Sequence, residues 1–226
     1  MTWRNTRDNI PDNTLKGTTT VALTCKDGVV LATDRRATMG YYVASKTARK
    51  LFRIDEHLAA TIAGSVADAQ RVMDSLQAET NIFKVRVGVP MRVKAAANLL
   101  SSILFEARLF PYLMEAVVGG IDETGPQLYA LDPVGSLTTE KFVATGSGGP
   151  IAYGLLEDSY SEDLTVKDGI PLVIRAIRSS MERDAASGNG FDVAYITKST
   201  YHELSESEIR KVSEELNAKK KKAHSS

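Results

Sequence analysis

Thr18 follows Gly17 directly and opens a run of threonines that leads into an alternating apolar segment. If the chain were cut between these two residues, Thr18 would carry both a hydroxyl nucleophile and a free α-amino group. An α-amine has a reference pKa of about 7.7–8.0, so it could take the proton from the hydroxyl near neutral pH. Threonine is also an ordinary strand residue. The junction therefore fits either a one-residue acyl-transfer catalyst or the plain start of a strand.

Two charged residues further along the chain could control the protonation of that amine. Asp34 ends a predicted strand, and Lys50 comes just before another. A fixed positive charge nearby would keep the amine neutral. A charge-assisted bond to a carboxylate is a natural way to hold a lysine in a partly buried site. The alternative is an exposed ion pair near two turns, which would contribute little to stability.

Three further stretches could complete such a site. Gly64 lies between a predicted strand and a predicted helix, where its N–H could face a developing oxyanion. The loop of residues 146–149 is rich in glycine, but it lacks the Gly-Lys-Ser/Thr ending of a phosphate-binding loop. The segment 183–188 follows a predicted helix. Each stretch has a structural alternative, as a turn or as a helix cap.

Composition argues against several classes of protein. The 226 residues contain 28 Lys and Arg against 28 Asp and Glu, whereas a nucleic-acid-binding protein is expected to be basic. The single cysteine, Cys25, cannot form an intrachain disulfide, and the three histidines show no metal-ligand spacing. The sequence contains no membrane-span pattern, and residues 1–16 lack the apolar stretch of a secretory signal. We expect a cytoplasmic protein without metal or cofactor, and without membrane or nucleic-acid partners.

The periodicity of the apolar residues predicts two similar halves, each with strands followed by two helices. The predicted strands are 19–25, 29–33, 51–54, 58–62, 116–121, 127–131, 137–144 and 192–197. The predicted helices begin near Val66, near Val93, after the 146–149 loop and after an N-cap at Thr165, and a charged helix covers 206–218.

This order of elements predicts one α+β domain. Hairpin strands followed by pairs of helices indicate antiparallel sheets with the helices kept to separate faces. Two such halves fit a four-layer α-β-β-α sandwich in which the two antiparallel sheets pack face to face. We assign residues 18–205 to this domain, and residues 206–226 to a charged helix with a solvated, mobile end that contains Lys219–Lys222.

Six segments, taken together and in order, resemble a proteasome β subunit, most closely the single-type archaeal kind. The resemblance covers nearly all of residues 17–200 and implies the N-terminal-nucleophile hydrolase fold. That fold is the sandwich expected from the order of elements. The segments are GTTTVAL at 17–23, ATDRRAT at 32–38, KTARKLFRID at 46–55, TIAGSVADAQ at 61–70, TGSGGP at 145–150 and RDAASGNGFDV at 183–193.

The resemblance also implies roles for individual residues. Thr18 matches the nucleophile, which is exposed when a propeptide of residues 1–17 removes itself, and Gly17 suits the strained backbone of that step. Asp34 and Lys50 match the catalytic acid and lysine, and Gly64 matches the oxyanion-hole N–H. Ser147, Asp184 and Ser187 match a polar shell around the amine and hydroxyl of Thr18. Thr38 matches a residue that holds the substrate backbone extended, and Ala37, Ala48, Ile62 and Val66 match a pocket for a hydrophobic residue before the cut bond.

By the same resemblance, the chain would be a threonine endopeptidase that degrades unfolded proteins. It would assemble with other β subunits into heptameric rings, stacked between rings of proteasome α subunits, and would work with a regulatory ATPase ring. One alternative is a non-catalytic scaffold subunit of such a ring, although α-type subunits lack the Gly-Thr junction. Another is the simpler bacterial peptidase of the same fold, whose chains usually start near the nucleophile. The chain departs from the family at Gly149, where a second serine is common, and in the Lys219–Lys222 tail.

Overall fold

The fold is built from hairpins, beginning with two apolar segments joined by the two-residue turn Lys26-Asp27. The structure is a computed structural model that describes residues 17–223. Expectations for residues 1–16 and 224–226 lie outside the described residues. In chain order the elements are β1 (Thr20–Cys25), β2 (Gly28–Asp34), β3 (Ala37–Met39), β4 (Tyr42–Ser45), β5 (Leu51–Asp55), β6 (Leu58–Gly64), α1 (Val66–Val87), α2 (Val93–Glu106), β7 (Met114–Asp122), β8 (Gly125–Leu131), β9 (Leu137–Thr139), β10 (Phe142–Thr145), α3 (Gly149–Ser159), α4 (Val166–Met181), β11 (Phe191–Thr197), β12 (Thr200–Glu203) and α5 (Glu206–Ala223).

Two five-stranded antiparallel sheets form the centre of the domain. The first has the order β10-β1-β2-β11-β12 and the second β5-β6-β7-β8-β9. In the first sheet, Thr20 lies opposite Thr33 on one side and Thr145 on the other. Strand β2 is buried along its whole length because β1 and β11 flank it and layers cover both its faces. The end of β2 is therefore a position where a polar side chain can be kept from water.

Three apolar layers hold the domain together, and they confirm the predicted α-β-β-α sandwich. The central layer, between the sheets, contains Leu31, Leu51 and Val117. Helices α1 and α2 pack on the outer face of the second sheet through residues such as Leu76 and Leu100. Helices α3 and α4 cover the first sheet, and α5 adds partly buried side chains to that layer. Burial of this apolar surface is the main favourable contribution to folding.

The single strand predicted over residues 137–144 is wrong. The segment forms two strands, and they belong to different sheets: β9 pairs with β8, whereas β10 pairs with β1. The chain crosses at Glu140-Lys141, where the Glu140 N–H donates to Leu128 O and the Lys141 carbonyl accepts from Thr24 N–H. The crossing lies in a run of polar residues, 138–141, which is followed directly by the apolar residues 142–144. Residue types alone could not reveal that the chain changes sheets within this segment.

Three short strands and one helix end also differ from the sequence prediction. Strands β3 and β4 form a separate two-stranded hairpin that the sequence did not indicate, with the exposed residues Tyr41 and Tyr42 near its turn. Strand β12 at the edge of the first sheet was also missed. The final helix continues past residue 218 to Ala223. Among residues 17–223, no helix is both long enough and apolar enough to span a bilayer.

Helix α4 begins as predicted, with Thr165 as its N-cap. The Asp168 carboxylate accepts a hydrogen bond of 2.6 Å from the Thr165 hydroxyl, and it also places a negative charge in the first turn. Helix α1 begins in a comparable way after Ser65, whose hydroxyl accepts from the Asp68 N–H at 3.4 Å. This cap fixes α1 directly after the end of β6.

Shortening one side chain of the central layer should destabilise the domain. Leu31 has no exposed surface, so Leu31→Ala should lower the free energy of unfolding by about 2–5 kcal/mol through lost burial and a residual cavity. Leu109→Ala is the matched control because Leu109 is 82% exposed, and its effect should stay within about 0.5 kcal/mol. Denaturant unfolding of the purified chains measures both values. Equal losses would contradict this account of the core.

Candidate active site

Thr18 lies just before β1, at the end of the first sheet, and is 1% exposed. Its amide N–H donates to Ser147 Oγ at 3.2 Å, and its carbonyl accepts from the Gly148 N–H at 3.4 Å. The Thr18 hydroxyl donates to the carbonyl oxygen of Gly17 at 2.8 Å. Thr18 is thus held between its own preceding residue and the loop that joins β10 to α3.

Gly17 is held in a tight space next to the nucleophile candidate. Its N–H donates to Thr38 Oγ1 at 2.9 Å, so Thr38 contacts the backbone immediately before Thr18. A Cβ on Gly17 would come within 1.6 Å of the Ala186 Cβ. Close approach to Ala186 therefore requires glycine at this position.

Asp34 and Lys50 form a fully buried ion pair. Lys50 Nζ lies 2.7 Å from Asp34 Oδ1, and both side chains are 0% exposed. Lys50 Nζ also donates to the Arg36 carbonyl at 2.5 Å. The exposed surface pair considered as an alternative is therefore excluded by the burial of both partners. A buried charge that lost its partner here would carry a large desolvation cost.

The remaining hydrogen-bonding capacity of Asp34 is also filled. Oδ1 accepts from the Thr19 N–H at 2.9 Å, and Oδ2 accepts from the N–H groups of Arg36 and Gly188, each at 3.0 Å. Burial lowers the pKa of Lys50 below the ordinary value of a lysine, while the charge and hydrogen bond of Asp34 oppose that shift. The carboxylate thus holds the lysine and the start of β1 together.

A second acidic residue organises the other side of the site. Ser147 Oγ and Ser187 Oγ both donate to Asp184 Oδ2, each at 2.6 Å. Ser147 is the member of this set that contacts Thr18. Ser187 Oγ instead lies 2.7 Å from the hydroxyl of Thr19. The three predicted shell residues form one connected network, and Ser187 joins it to the residue after the nucleophile candidate.

The remaining predicted positions lie around the end of β6 and the β3–β4 hairpin. Gly64 is the last residue of β6 and directly precedes the Ser65 cap of α1. The residues assigned to a specificity pocket differ in their surroundings. Ala37 and Ala48 are buried, Val66 is half-buried in the first turn of α1, and Ile62 has no exposed surface in the core beneath α1 and α2.

Sequence reasoning missed three residues that contact this site. Thr19 bridges Asp34 and Ser187 through its N–H and its hydroxyl. Arg36 accepts from Lys50 through its carbonyl, and its side chain contacts Asn189. All three lie inside the segments that carry the family resemblance, but nothing in their residue types indicated these contacts. Within residues 17–223, no group of three or more His, Cys, Asp or Glu side chains could hold a metal ion.

Removing the charge of Asp34 alone should lower the free energy of unfolding more than removing both charges of the Asp34–Lys50 pair. Asp34→Asn leaves Lys50 buried without an anionic partner, so the free energy of unfolding should fall by about 3–5 kcal/mol. The double variant Asp34→Asn with Lys50→Met buries no net charge and should recover part of this loss. Chemical denaturation of the purified chains measures both. A double variant that is no more stable than Asp34→Asn would contradict the interpretation of an uncompensated charge.

Comparison with known proteins agrees with this geometry. The sequence profile of a family described as "Proteasome subunit" matches residues 14–196. A protein named proteasome subunit beta from Methanothermobacter thermautotrophicus is 53% identical over 206 residues, which cover 91% of this chain and 98% of that protein. Proteins of the same name are 50% identical in Ferroglobus placidus, covering 92% of this chain and 99% of the relative, and 50% identical in Methanocaldococcus vulcanius, covering 88% and 91%. These matches confirm the resemblance found in the sequence, and the chain belongs to the proteasome subunit family as a subunit of the β type.

Proposed function

We propose that this β subunit is a threonine endopeptidase that cuts unfolded proteins with Thr18 as nucleophile, after removal of residues 1–17. Membership of the family supports a peptidase in general, and assembly into a proteasome core with other subunits. The observation that carries the threonine mechanism is the placement of Thr18. Its amide contacts the Ser147–Asp184 pair, and its neighbour Thr19 is bonded to the buried Asp34–Lys50 pair.

Self-removal of the leader is supported by the position of the Thr18 hydroxyl. This hydroxyl lies 2.8 Å from the carbonyl oxygen of Gly17, which places the nucleophile beside the bond that must break. Attack of Oγ1 on the Gly17 carbonyl carbon would form an ester as the C–N bond breaks, and the proton from the hydroxyl would pass to the released amine. Water would then hydrolyse the ester. The products are the free leader and a chain that begins with Thr18.

Hydrolysis of a substrate would follow the same chemistry in mature particles. The Thr18 amine accepts the hydroxyl proton as Oγ1 attacks the peptide carbonyl, and the oxyanion is stabilised by the Gly64 N–H. The amine then gives its proton to the leaving nitrogen, and water hydrolyses the acyl-enzyme. The positive charge of Lys50 favours a neutral, basic amine. The Ser147–Asp184 pair orients that amine, since Ser147 Oγ already contacts the same nitrogen at 3.2 Å.

Substrate binding is assigned to the strand side of the site. Thr38 accepts from the Gly17 N–H, and we propose that it accepts from the backbone of a substrate in the same way. Ala37, Ala48, Ile62 and Val66 are apolar, which favours a hydrophobic residue before the cut bond. We further propose heptameric β rings between α rings, a regulatory ATPase ring and a cytoplasmic location, with a scaffold role as the alternative that the following experiment tests.

Replacing the nucleophile should abolish activity without preventing assembly. Thr18→Ala removes the hydroxyl, so peptide hydrolysis by assembled particles should fall by more than about a thousandfold and residues 1–17 should remain attached. Thr24→Ala is the control because Thr24 lies at the opposite end of β1, where its hydroxyl contacts the Lys141 carbonyl and Tyr160. Turnover of hydrophobic fluorogenic peptides and intact mass are the measurements. Full activity in Thr18→Ala particles would exclude the proposal, and an uncut wild-type chain in mature particles would favour the scaffold role.

The effect of a side chain at position 17 on leader removal should be partly compensated by a smaller residue at position 186. Gly17→Ala places a methyl group against the Ala186 Cβ, so it should shift the Gly17 carbonyl and slow the loss of residues 1–17 by about tenfold or more. Ala186→Gly removes the contact of 1.6 Å but leaves the Cα of residue 186 at 2.8 Å, so the double variant should recover part of the processing rate. The single variant Ala186→Gly is the control for loop flexibility. Time-resolved intact mass after mixing with α subunits reports all four chains, and a double variant as slow as Gly17→Ala would contradict the steric explanation.

A further inference from the structure

The side chain of Arg36 reaches from the end of β2 to the loop that follows α4. Its Nη1–H donates to the Ala185 carbonyl at 2.7 Å, and its Nε–H donates to Asn189 Oδ1 at 2.8 Å. Gly188 packs directly against the guanidinium, since a Cβ there would lie 2.5 Å from Arg36 Nη2. Arg36 therefore contacts three residues of one loop, on both sides of Ser187.

That loop carries two members of the proposed polar shell. Asp184 begins it and accepts from the hydroxyls of Ser147 and Ser187. The same loop donates the Gly188 N–H to Asp34 Oδ2 at 3.0 Å. A shift of the loop would therefore move Asp184 relative to Ser147 and would also change the surroundings of the buried ion pair.

The backbone of Arg36 belongs to the opposite side of the site. Its N–H donates to Asp34 at 3.0 Å, and its carbonyl accepts from Lys50 Nζ at 2.5 Å. One residue thus contacts the Asp34–Lys50 pair through its main chain and the Asp184 loop through its side chain. Arg36 thus connects Asp34 with the Asp184 loop in addition to the direct hydrogen bond from the Gly188 N–H to Asp34.

We propose that Arg36 is a positioning residue, whose guanidinium fixes the 184–189 loop so that Asp184 holds Ser147 against the nitrogen of Thr18. This inference rests on the proposed threonine mechanism and adds to it a residue that touches neither the substrate nor the reacting atoms. Its action passes from the guanidinium to the Ala185 carbonyl, then to Asp184 and Ser147, and finally to Thr18.

An arginine suits this position better than a lysine. The planar guanidinium offers several N–H groups in fixed directions, whereas a lysine ammonium is a compact charge on a flexible stem. Here two nitrogens of the forked guanidinium, Nε and Nη1, donate to Asn189 and Ala185, which lie four residues apart in the chain. A lysine could approach one acceptor but would not hold the spacing between both. Position 36 therefore requires the shape of the fork as well as its charge.

Asn189 is the side-chain acceptor that the loop offers to Arg36. It has φ of 61°, a left-handed conformation that asparagine tolerates better than most residues. Asn189 is exposed, whereas Ser187 and Gly188 are buried and are bonded to Thr19 and Asp34. Arg36 therefore supplies the hydrogen bonds that hold the exposed part of the loop, at Ala185 and Asn189.

The charge of Arg36 needs a separate control. Burial is the main cause of the lowered pKa of Lys50, and the nearby positive charge of Arg36 lowers that pKa further. Arg36→Lys keeps the charge and loses the fork, whereas Arg36→Gln loses both. A positioning role predicts that both variants are impaired, and a role through charge alone predicts that Arg36→Lys retains wild-type activity.

The test uses assembled particles with α subunits and a fluorogenic hydrophobic peptide. Both Arg36→Lys and Arg36→Gln should lower kcat by about 10- to 100-fold, because small displacements of groups around the reacting atoms have effects of this size. KM should stay within about twofold, since the Thr38 side of the site is unchanged. Arg35→Lys is the matched control, because the Arg35 side chain contacts Asp192 and Glu206 and should leave kcat unchanged.

Variants of the loop make the result independent of any folding defect at position 36. Asn189→Gly keeps the left-handed backbone and removes one acceptor, and it should lower kcat in the same direction as Arg36→Lys. Asn189→Asp keeps the acceptor and should retain activity. In a double-mutant cycle, Arg36→Lys with Asn189→Gly should lose less than the product of the two single losses, because both variants remove the same contact.

A structural measurement completes the test without relying on turnover. Amide hydrogen exchange in residues 184–189 should accelerate in Arg36→Lys particles and stay unchanged in Arg35→Lys particles. Wild-type kcat in Arg36→Lys and Asn189→Gly particles, with unchanged exchange, would overturn the positioning role. Failure of the threonine mechanism would look different, because Thr18→Ala particles would then remain active whatever happens at Arg36.

Discussion

The interaction on which the site depends is the buried ion pair of Asp34 and Lys50. Two charges removed from water are stable only when their hydrogen-bonding capacity is filled. Asp34 meets this condition with donors from separate parts of the chain: the N–H groups of Thr19, Arg36 and Gly188, and the Lys50 ammonium. These segments must therefore meet at the end of β2. The pair fixes the start of β1 and the loop after α4 at the same point.

The sandwich supplies the dry environment that this pair requires. Asp34 closes the fully buried strand β2 of the first sheet, and Lys50 directly precedes β5 at the edge of the second sheet. The Lys50 carbonyl also accepts from the Ile62 N–H at 3.0 Å, which anchors the lysine to β6. The ion pair thus joins the two sheets at one end of the central apolar layer. Packing of the layers and order in the site are consequently coupled.

The sequence predicted the elements whose signals are local, and it failed where the answer depended on distant contacts. Strand and helix periodicity located β1, β2, α1 and α4, and the Thr165 cap was correct. The segment 137–144 was predicted as one strand because its residue types do not show a change of partner sheet. The sequence did not indicate the β3–β4 hairpin because its strands are short and its tyrosines are exposed, so it has no alternating apolar face of the kind that marks a core strand. The site residues came from ordered motifs, whereas the contact of Ser187 with Thr19 required the fold.

Thr19 shows how the nucleophile candidate can be rigid without many side-chain contacts of its own. Its N–H and hydroxyl are bonded to Asp34 and Ser187, and it is 0% exposed, so the backbone that carries Thr18 is fixed from the following residue. Loss of Gly17 would leave these two bonds of Thr19 intact. It would, however, free the Thr38 hydroxyl that now accepts from the Gly17 N–H. If Thr18 is the nucleophile and Thr38 binds the substrate backbone as proposed, Gly17 occupies the position that a substrate takes later, and its removal opens the site without rebuilding it.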